Sequence, residues 1–171
     1  RTARTGELLH FVGLWDRRDT HVEHLSGGMR RRLLIARGLM HRPAVVFMDE
    51  PTVGLDPQAR TMIGGLIETL KRSGITILLT THYIEEADVL CDRVAIMQTG
   101  SIIALDRPSA LKAGVGRFVL ECLGRYDVPQ QFFQRREEAL DAGRSVGCDL
   151  VVRDATLEDV FIKITGERID T

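Results

Sequence analysis

The apolar run at residues 45–48 ends directly in two adjacent carboxylates, Asp49 and Glu50. A short, unbroken apolar run of this kind is typical of a strand buried in a parallel sheet. Open α/β sheets bind their ligands at the carboxyl ends of such strands. The pair therefore predicts a site at the sheet edge, where one carboxylate holds a metal and the other orients a water. A solvated acidic turn is the alternative for an isolated pair.

The segments around this strand alternate between helix and strand. Asp56 and Pro57 begin a predicted helix at residues 58–72, and apolar, β-branched residues at 75–81 predict a second strand. A helix at 84–91 and a strand at 93–97 follow. The alternation predicts an α/β fold with a parallel sheet. Further elements are predicted at 101–105 (strand), 109–113 (helix), 118–123 (strand), 130–142 (helix), 150–153 (strand) and 157–164 (helix), with a boundary at Gly114 and Gly116.

Composition excludes several classes of protein. With 44% hydrophobic residues the chain has enough apolar material for a core, and a net charge of -1 argues against the broad basic face that nucleic-acid binding requires. No nucleic-acid partner is therefore expected. The three cysteines, Cys91, Cys122 and Cys148, match neither a disulfide framework nor a metal site by number and spacing, which predicts a reducing, cytosolic setting. No apolar run approaches the ~18 residues of a membrane span.

Two further features could bind phosphate. Ser26, Gly27 and Gly28 precede a predicted helix at 29–40, and a serine-capped helix start with glycines offers free N–H groups to an anion. His82 follows the strand at 75–81, where an imidazole could contact a phosphate or order a water. Taken singly, each feature is more often structural. The arginines at 30–32 are most simply a solvated helix face outside the site.

Taken together, the motifs resemble the nucleotide-binding domain of ATP-binding-cassette (ABC) transporters. The stretches are Leu-Ser-Gly-Gly-Met at 25–29, Val-Val-Phe-Met-Asp-Glu-Pro-Thr at 45–52, Gly-Leu-Asp at 54–56 and Thr-Thr-His at 80–82. They match the family's signature motif, Walker B strand, D-loop and H-loop in order and spacing, over about residues 7–113. The resemblance implies a truncated P-loop NTPase-type parallel sheet with flanking helices and a small C-terminal α+β appendage.

The resemblance also implies three segments and a catalytic arrangement. Residues 1–25 end a helical subdomain, 26–113 form the C-terminal half of the ATPase core, and 114–171 form an accessory lobe. In the family's arrangement, Glu50 activates the hydrolytic water, Asp49 supports Mg²⁺, and His82 contacts the terminal phosphate of ATP.

A head-to-tail dimer with a second ABC ATPase subunit is implied as well. Ser26, Gly27 and Gly28 of one subunit would close over ATP held by the other, and Asp56 would couple the two sites. The expected partner is a transmembrane permease, with the chain peripheral at the cytoplasmic face of the membrane. Met29 in place of the usual Gln, followed by arginines, and the stretch at 155–161 resemble the subfamily of drug, polysaccharide and haem-related exporters.

No Gly-x-x-x-x-Gly-Lys-Ser/Thr loop occurs in the 171 residues, and the lysines, Lys71, Lys112 and Lys163, follow no glycine loop. Because the chain also begins at Arg1 and enters a helical pattern at once, we expect the Walker A loop to lie upstream in a longer protein. These residues alone are then expected to have negligible ATPase activity.

Two alternatives remain open. A truncated product could dimerise with a complete subunit and lend only its signature motif. A soluble cassette protein of DNA repair, chromosome structure or ribosome function shares the same motifs, although coiled coils, zinc modules or tandem cassettes usually accompany them. A neighbouring gene for a membrane permease would favour transport.

Overall fold

A computed structural model of the chain describes residues 2–124, 129–144 and 149–166. The chain divides into two units, Arg1–His82 and Tyr83–Thr171. The first unit contains α1 (Thr2–Phe11), α2 (Gly27–Gly38), β1 (Val45–Asp49), α3 (Pro57–Arg72) and β2 (Thr76–Thr80). The second contains α4 (Ile84–Leu90), β3 (Val94–Gln98), β4 (Ser101–Asp106), α5 (Pro108–Val115), β5 (Phe118–Cys122), β6 (Gln131–Phe133), α6 (Arg136–Gly143), β7 (Leu150–Asp154) and α7 (Leu157–Thr165).

Strands β1 and β2 form the predicted parallel pair. Their register runs from Val45 opposite Thr76 to Asp49 opposite Thr80, so both strands end at the same edge. Helix α3 connects them and buries an apolar stripe of Ile63, Ile67 and Leu70, spaced at helical intervals. The register of the two strands and the packing of α3 therefore fix the position of Asp49 and Glu50 at the end of β1.

Helices α1 and α2 contact each other, and Leu8 of α1 and Ala36 of α2 are buried. Arg32 is buried with them, and its guanidinium donates to the carbonyl oxygens of Val12 at 2.7 Å and Gly13 at 3.3 Å. The prediction that residues 30–32 are only a solvated face is therefore wrong for Arg32. A buried guanidinium must be hydrogen-bonded, and the end of α1 supplies carbonyls for it.

The third predicted strand does not extend the parallel sheet. β3 pairs antiparallel with β4 in a separate two-stranded sheet. The turn between them has Thr99 at φ 48° and Gly100 at φ 80°. Positive φ at both central residues matches the right-handed twist of a tight hairpin. The tight turn therefore pairs β3 with β4, the next strand in the chain. The alternation of helices and strands in the sequence did not indicate this antiparallel pairing.

The remaining part of the second unit contains a three-stranded antiparallel sheet in the order β6-β5-β7. The predicted helix at 130–142 is wrong in its first residues, because Gln131–Phe133 is a strand paired with β5 and the helix begins at Arg136. The edge of β5 provides backbone partners, and aromatic residues favour a strand. The predicted boundary at residue 114, between the ATPase core and the accessory lobe, stays a prediction. Residues from both sides of this position pack into one hydrophobic cluster of this unit, which contains Ala87, Ile96, Leu157 and Val160.

The cysteine pattern misled the sequence analysis. Cys122, buried in β5, is disulfide-bonded. Cys148 lies outside the described residues. Spacing along the chain does not report which strands fold beside one another, so it could not exclude a bridge. In the described part of the chain, no helix is long and apolar enough to cross a membrane.

A partly buried charge cluster, centred on buried Asp159, joins β7 to α7. The guanidinium of Arg153 donates to both carboxylate oxygens of Asp159, at 2.6 and 2.8 Å, and to Glu121 at 3.1 Å. Asp159 also completes a capping box with Thr156. Burial acts to raise the pKa of Asp159, but hydrogen bonds from Arg153 and Thr156 outweigh burial and hold this pKa below its usual value. The ionised pair therefore stabilises the second unit.

Asp159→Asn is expected to lower the free energy of unfolding by about 3 kcal/mol at pH 7, because it removes the buried one of the two carboxylates that pair with Arg153. A carboxylate with a lowered pKa contributes stability above its unfolded pKa of ~3.9 and loses it as pH falls through the folded pKa. The wild type should lose more stability than the variant on acidification below about pH 4. Urea unfolding followed by circular dichroism measures both effects, and exposed Asp154→Asn is the control. Equal pH dependence in all three proteins would contradict this account.

Candidate functional site

The end of β1 is fixed by hydrogen bonds from β2. Thr80 lies opposite Asp49 in the register, and its hydroxyl donates to Oδ1 of Asp49. The amide of Glu50 donates to the carbonyl and to the hydroxyl oxygen of Thr80, each at 3.1 Å. Thr80 therefore orients one carboxylate through its side chain and fixes the backbone of the next. Thr80 belongs to the Thr-Thr-His stretch at 80–82, but the sequence alone assigns it no role.

Glu50 leaves the strand in a left-handed conformation. Its φ is 45°, a value that residues with a side chain seldom adopt, and the chain turns sharply after it. Nδ1 of His82 lies 3.0 Å from each carboxylate oxygen, with hydrogen-bond geometry toward Oε1. Oε2 is buried and accepts no hydrogen bond from the described residues. Asp49, Glu50 and His82 thus lie together at one sheet edge, as the sequence predicted; their chemical roles stay predictions.

This site is open to solvent on one side. The side chain of Glu50 is 36% exposed and that of His82 is 56% exposed. Because an ionised carboxylate only accepts hydrogen bonds, the contact requires the proton on Nδ1 of His82. The histidine can therefore orient the carboxylate, while Oε2 of Glu50 retains capacity to accept a proton or a hydrogen bond from a water.

The loop after Glu50 is held at both ends. Thr52 is buried with 1% exposure, and Gly54 has a φ of 72° that allows the tight bend. Nε of Arg60 donates to the carbonyl of Leu55 at 3.1 Å. Asp56 is the N-cap of α3, and its Oδ1 accepts from the amide of Ala59 at 2.9 Å. The predicted coupling role of Asp56 is not visible within a single chain and stays a prediction.

The Ser-Gly-Gly stretch begins α2, as predicted. The hydroxyl oxygen of Ser26 caps the helix by accepting from the amide of Met29 at 3.2 Å. A Cβ placed on Gly27 would lie 3.9 Å from Leu55, an ordinary contact, whereas one on Gly28 would lie 3.0 Å from Cβ of Ala59. Gly28 therefore allows close approach to α3, and the exposed Gly27 leaves room for a ligand at the helix N-terminus.

Arg31 is the site residue that sequence analysis missed. Its Nε donates to the carbonyl of Pro51 at 2.9 Å, and its Nη2 donates to the carbonyl of Glu50. Arg31 lies four residues after Gly27, on the helix face that meets residues 51–55. The four-residue spacing from Gly27 could have indicated that Arg31 faces the site. A run of arginines on a helix is more often exposed to solvent, however, and it was interpreted in that way.

The fit of Mg²⁺ rests on the donor set. The described residues contain no group of three or more His, Cys, Asp or Glu side chains arranged for a metal ion. Mg²⁺ is usually held by one or two carboxylates together with substrate phosphates and waters. Asp49, exposed and oriented by Thr80, supplies such a carboxylate, and the unsatisfied Oε2 of Glu50 can accept from a metal-bound water. The arrangement fits magnesium delivered with a nucleotide rather than a metal held by protein alone.

Comparison with known proteins defines the class. The family model described as "ABC transporter" matches residues 1–53. The structure of cbiO1 from Clostridium perfringens, part of the ABC transporter complex cbiONQ, matches with a TM-score of 0.60 and 35% identity, covering 64% of this chain and 44% of that one. An ABC cassette in its ADP conformation matches with a TM-score of 0.58 and 32% identity, covering 61% and 41%. The chain belongs to the ABC transporter ATP-binding family.

Within that family, the chain is homologous to Nod factor export ATP-binding protein I. The protein of that name from Cupriavidus metallidurans is 41% identical over 188 residues, which cover 97% of this chain and 62% of the relative. Linearmycin resistance ATP-binding protein LnrL from Bacillus subtilis is 43% identical over 113 residues, covering 66% of this chain and 36% of the relative. The chain spans about three fifths of the length of the Nod factor export relatives.

Proposed function

We propose that the chain belongs to the ATP-binding subunit of an ABC transporter and supplies the residues that activate water for ATP hydrolysis. The observation that carries the proposal is the cluster of Asp49, Glu50 and His82 at the shared end of β1 and β2. Because Asp49 and Glu50 have different hydrogen-bond partners, one carboxylate can bind the metal while the other activates the water. Asp49 is positioned by Thr80, and Glu50 is positioned by its backbone and by His82.

In this proposal Glu50 is the general base. Its carboxylate accepts a hydrogen bond from the attacking water and takes the proton, as the water oxygen bonds to the terminal phosphorus of ATP and the bond from that phosphorus to the departing ADP oxygen breaks. Asp49 would hold Mg²⁺, which neutralises charge on the phosphates during transfer. His82, beside the same carboxylate, orients it and would contact the terminal phosphate. The open side of the site gives the nucleotide access.

The second part of the proposal is a composite site in a head-to-tail dimer. Ser26 and Gly27, at the exposed N-terminus of α2, face ATP bound by the other subunit. Helix N-termini bind phosphate through free N–H groups and the helix dipole. Asp56, at the start of α3, lies in the loop that would meet the partner.

The third part concerns transport. The relatives carry names that specify Nod factor export and linearmycin resistance, which favours an exporter over an importer or a soluble cassette protein. A permease would supply the membrane-spanning path, and the subunit would sit at its cytoplasmic face.

The test compares the full-length gene product, co-expressed with its cognate permease, with the 171-residue chain alone. We expect Mg²⁺-dependent ATP turnover from the former. The chain alone should show none, because it contains no Gly-x-x-x-x-Gly-Lys-Ser/Thr loop to hold the β- and γ-phosphates. ATP turnover by the chain alone would contradict the need for that loop, and a full-length product without turnover would contradict the proposed activity.

A further inference from the structure

We infer that Arg31 is a positioning residue for hydrolysis, acting through the backbone of Glu50; this inference rests on the proposed role of Glu50 as general base. Arg31 does not touch the reacting atoms in the proposed arrangement. Its guanidinium instead binds the carbonyl oxygens of Glu50 and Pro51, the two peptide groups that follow the strand end.

The turn at Glu50 needs such support. A non-glycine residue at a φ of 45° is held in a sparsely populated conformation, which persists only where the surroundings determine it. On the amide side, Thr80 accepts from the N–H of Glu50 at 3.1 Å. On the carbonyl side, Arg31 donates to the oxygens of Glu50 and Pro51. The two residues together define the direction in which the carboxylate leaves the backbone.

The chemistry of the contact requires arginine. A planar guanidinium presents several N–H donors in a fixed fork, so one side chain can satisfy two neighbouring carbonyls. A lysine ammonium lacks that fixed geometry, and a glutamine offers only one donor group. Arg31 is half-buried, so solvent replaces its hydrogen bonds only in part after substitution.

Arg31 also connects this turn to α2. Gly27 lies one helical turn before Arg31, and both meet the loop at residues 51–55. Through Arg31, the helix that begins at the Ser-Gly-Gly stretch is hydrogen-bonded to the carbonyls of Glu50 and Pro51. The signature stretch and the base of the same chain are joined by one side chain.

The experiment measures ATP hydrolysis by the full-length gene product with its permease. Arg31→Ala should lower kcat about 10- to 100-fold with little change in KM for ATP, because a small displacement of a catalytic group has an effect of this size. Arg31→Lys should lower kcat less than Arg31→Ala does. Arg31→Gln should lie between these two variants. Arg30→Ala is the matched control, since Arg30 is exposed on the same helix and its side chain makes no hydrogen bond or ion pair with the described residues.

A double variant separates positioning from general destabilisation. If Arg31 acts through Glu50, adding Arg31→Ala to Glu50→Gln should lower the residual kcat no further. A further drop of the same size as in the wild type, or an unchanged kcat in Arg31→Ala, would overturn the inference. Near-normal turnover in Glu50→Gln itself would instead defeat the proposed function. Unfolding midpoints for every variant show whether a lost kcat reflects lost folded protein.

Discussion

Glu50→Gln in the full-length gene product is expected to lower kcat for ATP hydrolysis by about 10²–10⁴-fold, the range typical of a lost general base. The amide retains the size of the side chain and can still contact His82, so the turn at residues 50–51 should keep its shape. Binding of ATP and nucleotide-driven dimerisation should therefore persist. Steady-state ATPase assays and size-exclusion chromatography with ATP measure the two outcomes separately.

The matched control is Glu68→Gln, the same chemical change near the end of α3. Glu68 pairs with Lys71 at 3.1 Å across one helical turn, and such surface pairs contribute about 0–1 kcal/mol. This variant should hydrolyse ATP like the wild type. If Glu50→Gln also turned over ATP at the wild-type rate, Glu50 would have no part in proton transfer, whatever its position.

The elements that could be predicted from the sequence are those with local signals. The apolar run at 45–48 shows no helical periodicity, so it is predicted as a strand. Ser26 and Asp56 are residue types that favour a helix N-cap, and each accepts a hydrogen bond from the amide three residues later. Because parallel strands end at one edge, the proximity of Glu50 and His82 also followed from the order of elements. The site was predictable because its members lie at strand ends.

The features that were missed depend on contacts distant in sequence. Arg31 and Arg32 look alike along the chain, yet each meets backbone carbonyls about 20 residues away, in opposite directions along the sequence. Which arginines of a basic run are buried depends on which helix face packs against a neighbour. The pairing of β3 likewise depends on which strands lie side by side, and periodicity carries no such information.

Gly27→Asp should abolish ATP hydrolysis in the full-length gene product while leaving it folded. The position tolerates a side chain, since a Cβ there would lie 3.9 Å from Leu55 and no closer atom. An aspartate would place a negative charge where the proposed phosphate of the other subunit approaches the helix N-terminus, whose dipole alone cannot offset it. Gly27→Ala, which adds only the Cβ, is the control and should retain most of the activity.

Mixing Gly27→Asp with Glu50→Gln tests whether the signature stretch serves the partner's ATP. In a head-to-tail dimer, a heterodimer of the two variants has both lesions in one composite site and leaves the other site intact. Random pairing makes about half of the dimers mixed, so roughly a quarter of the wild-type activity should return if the two sites work independently. Mixtures of each variant with wild-type protein show whether a dimer with one intact site is active. If such dimers are active but the two variants together recover nothing, the signature stretch acts within its own subunit.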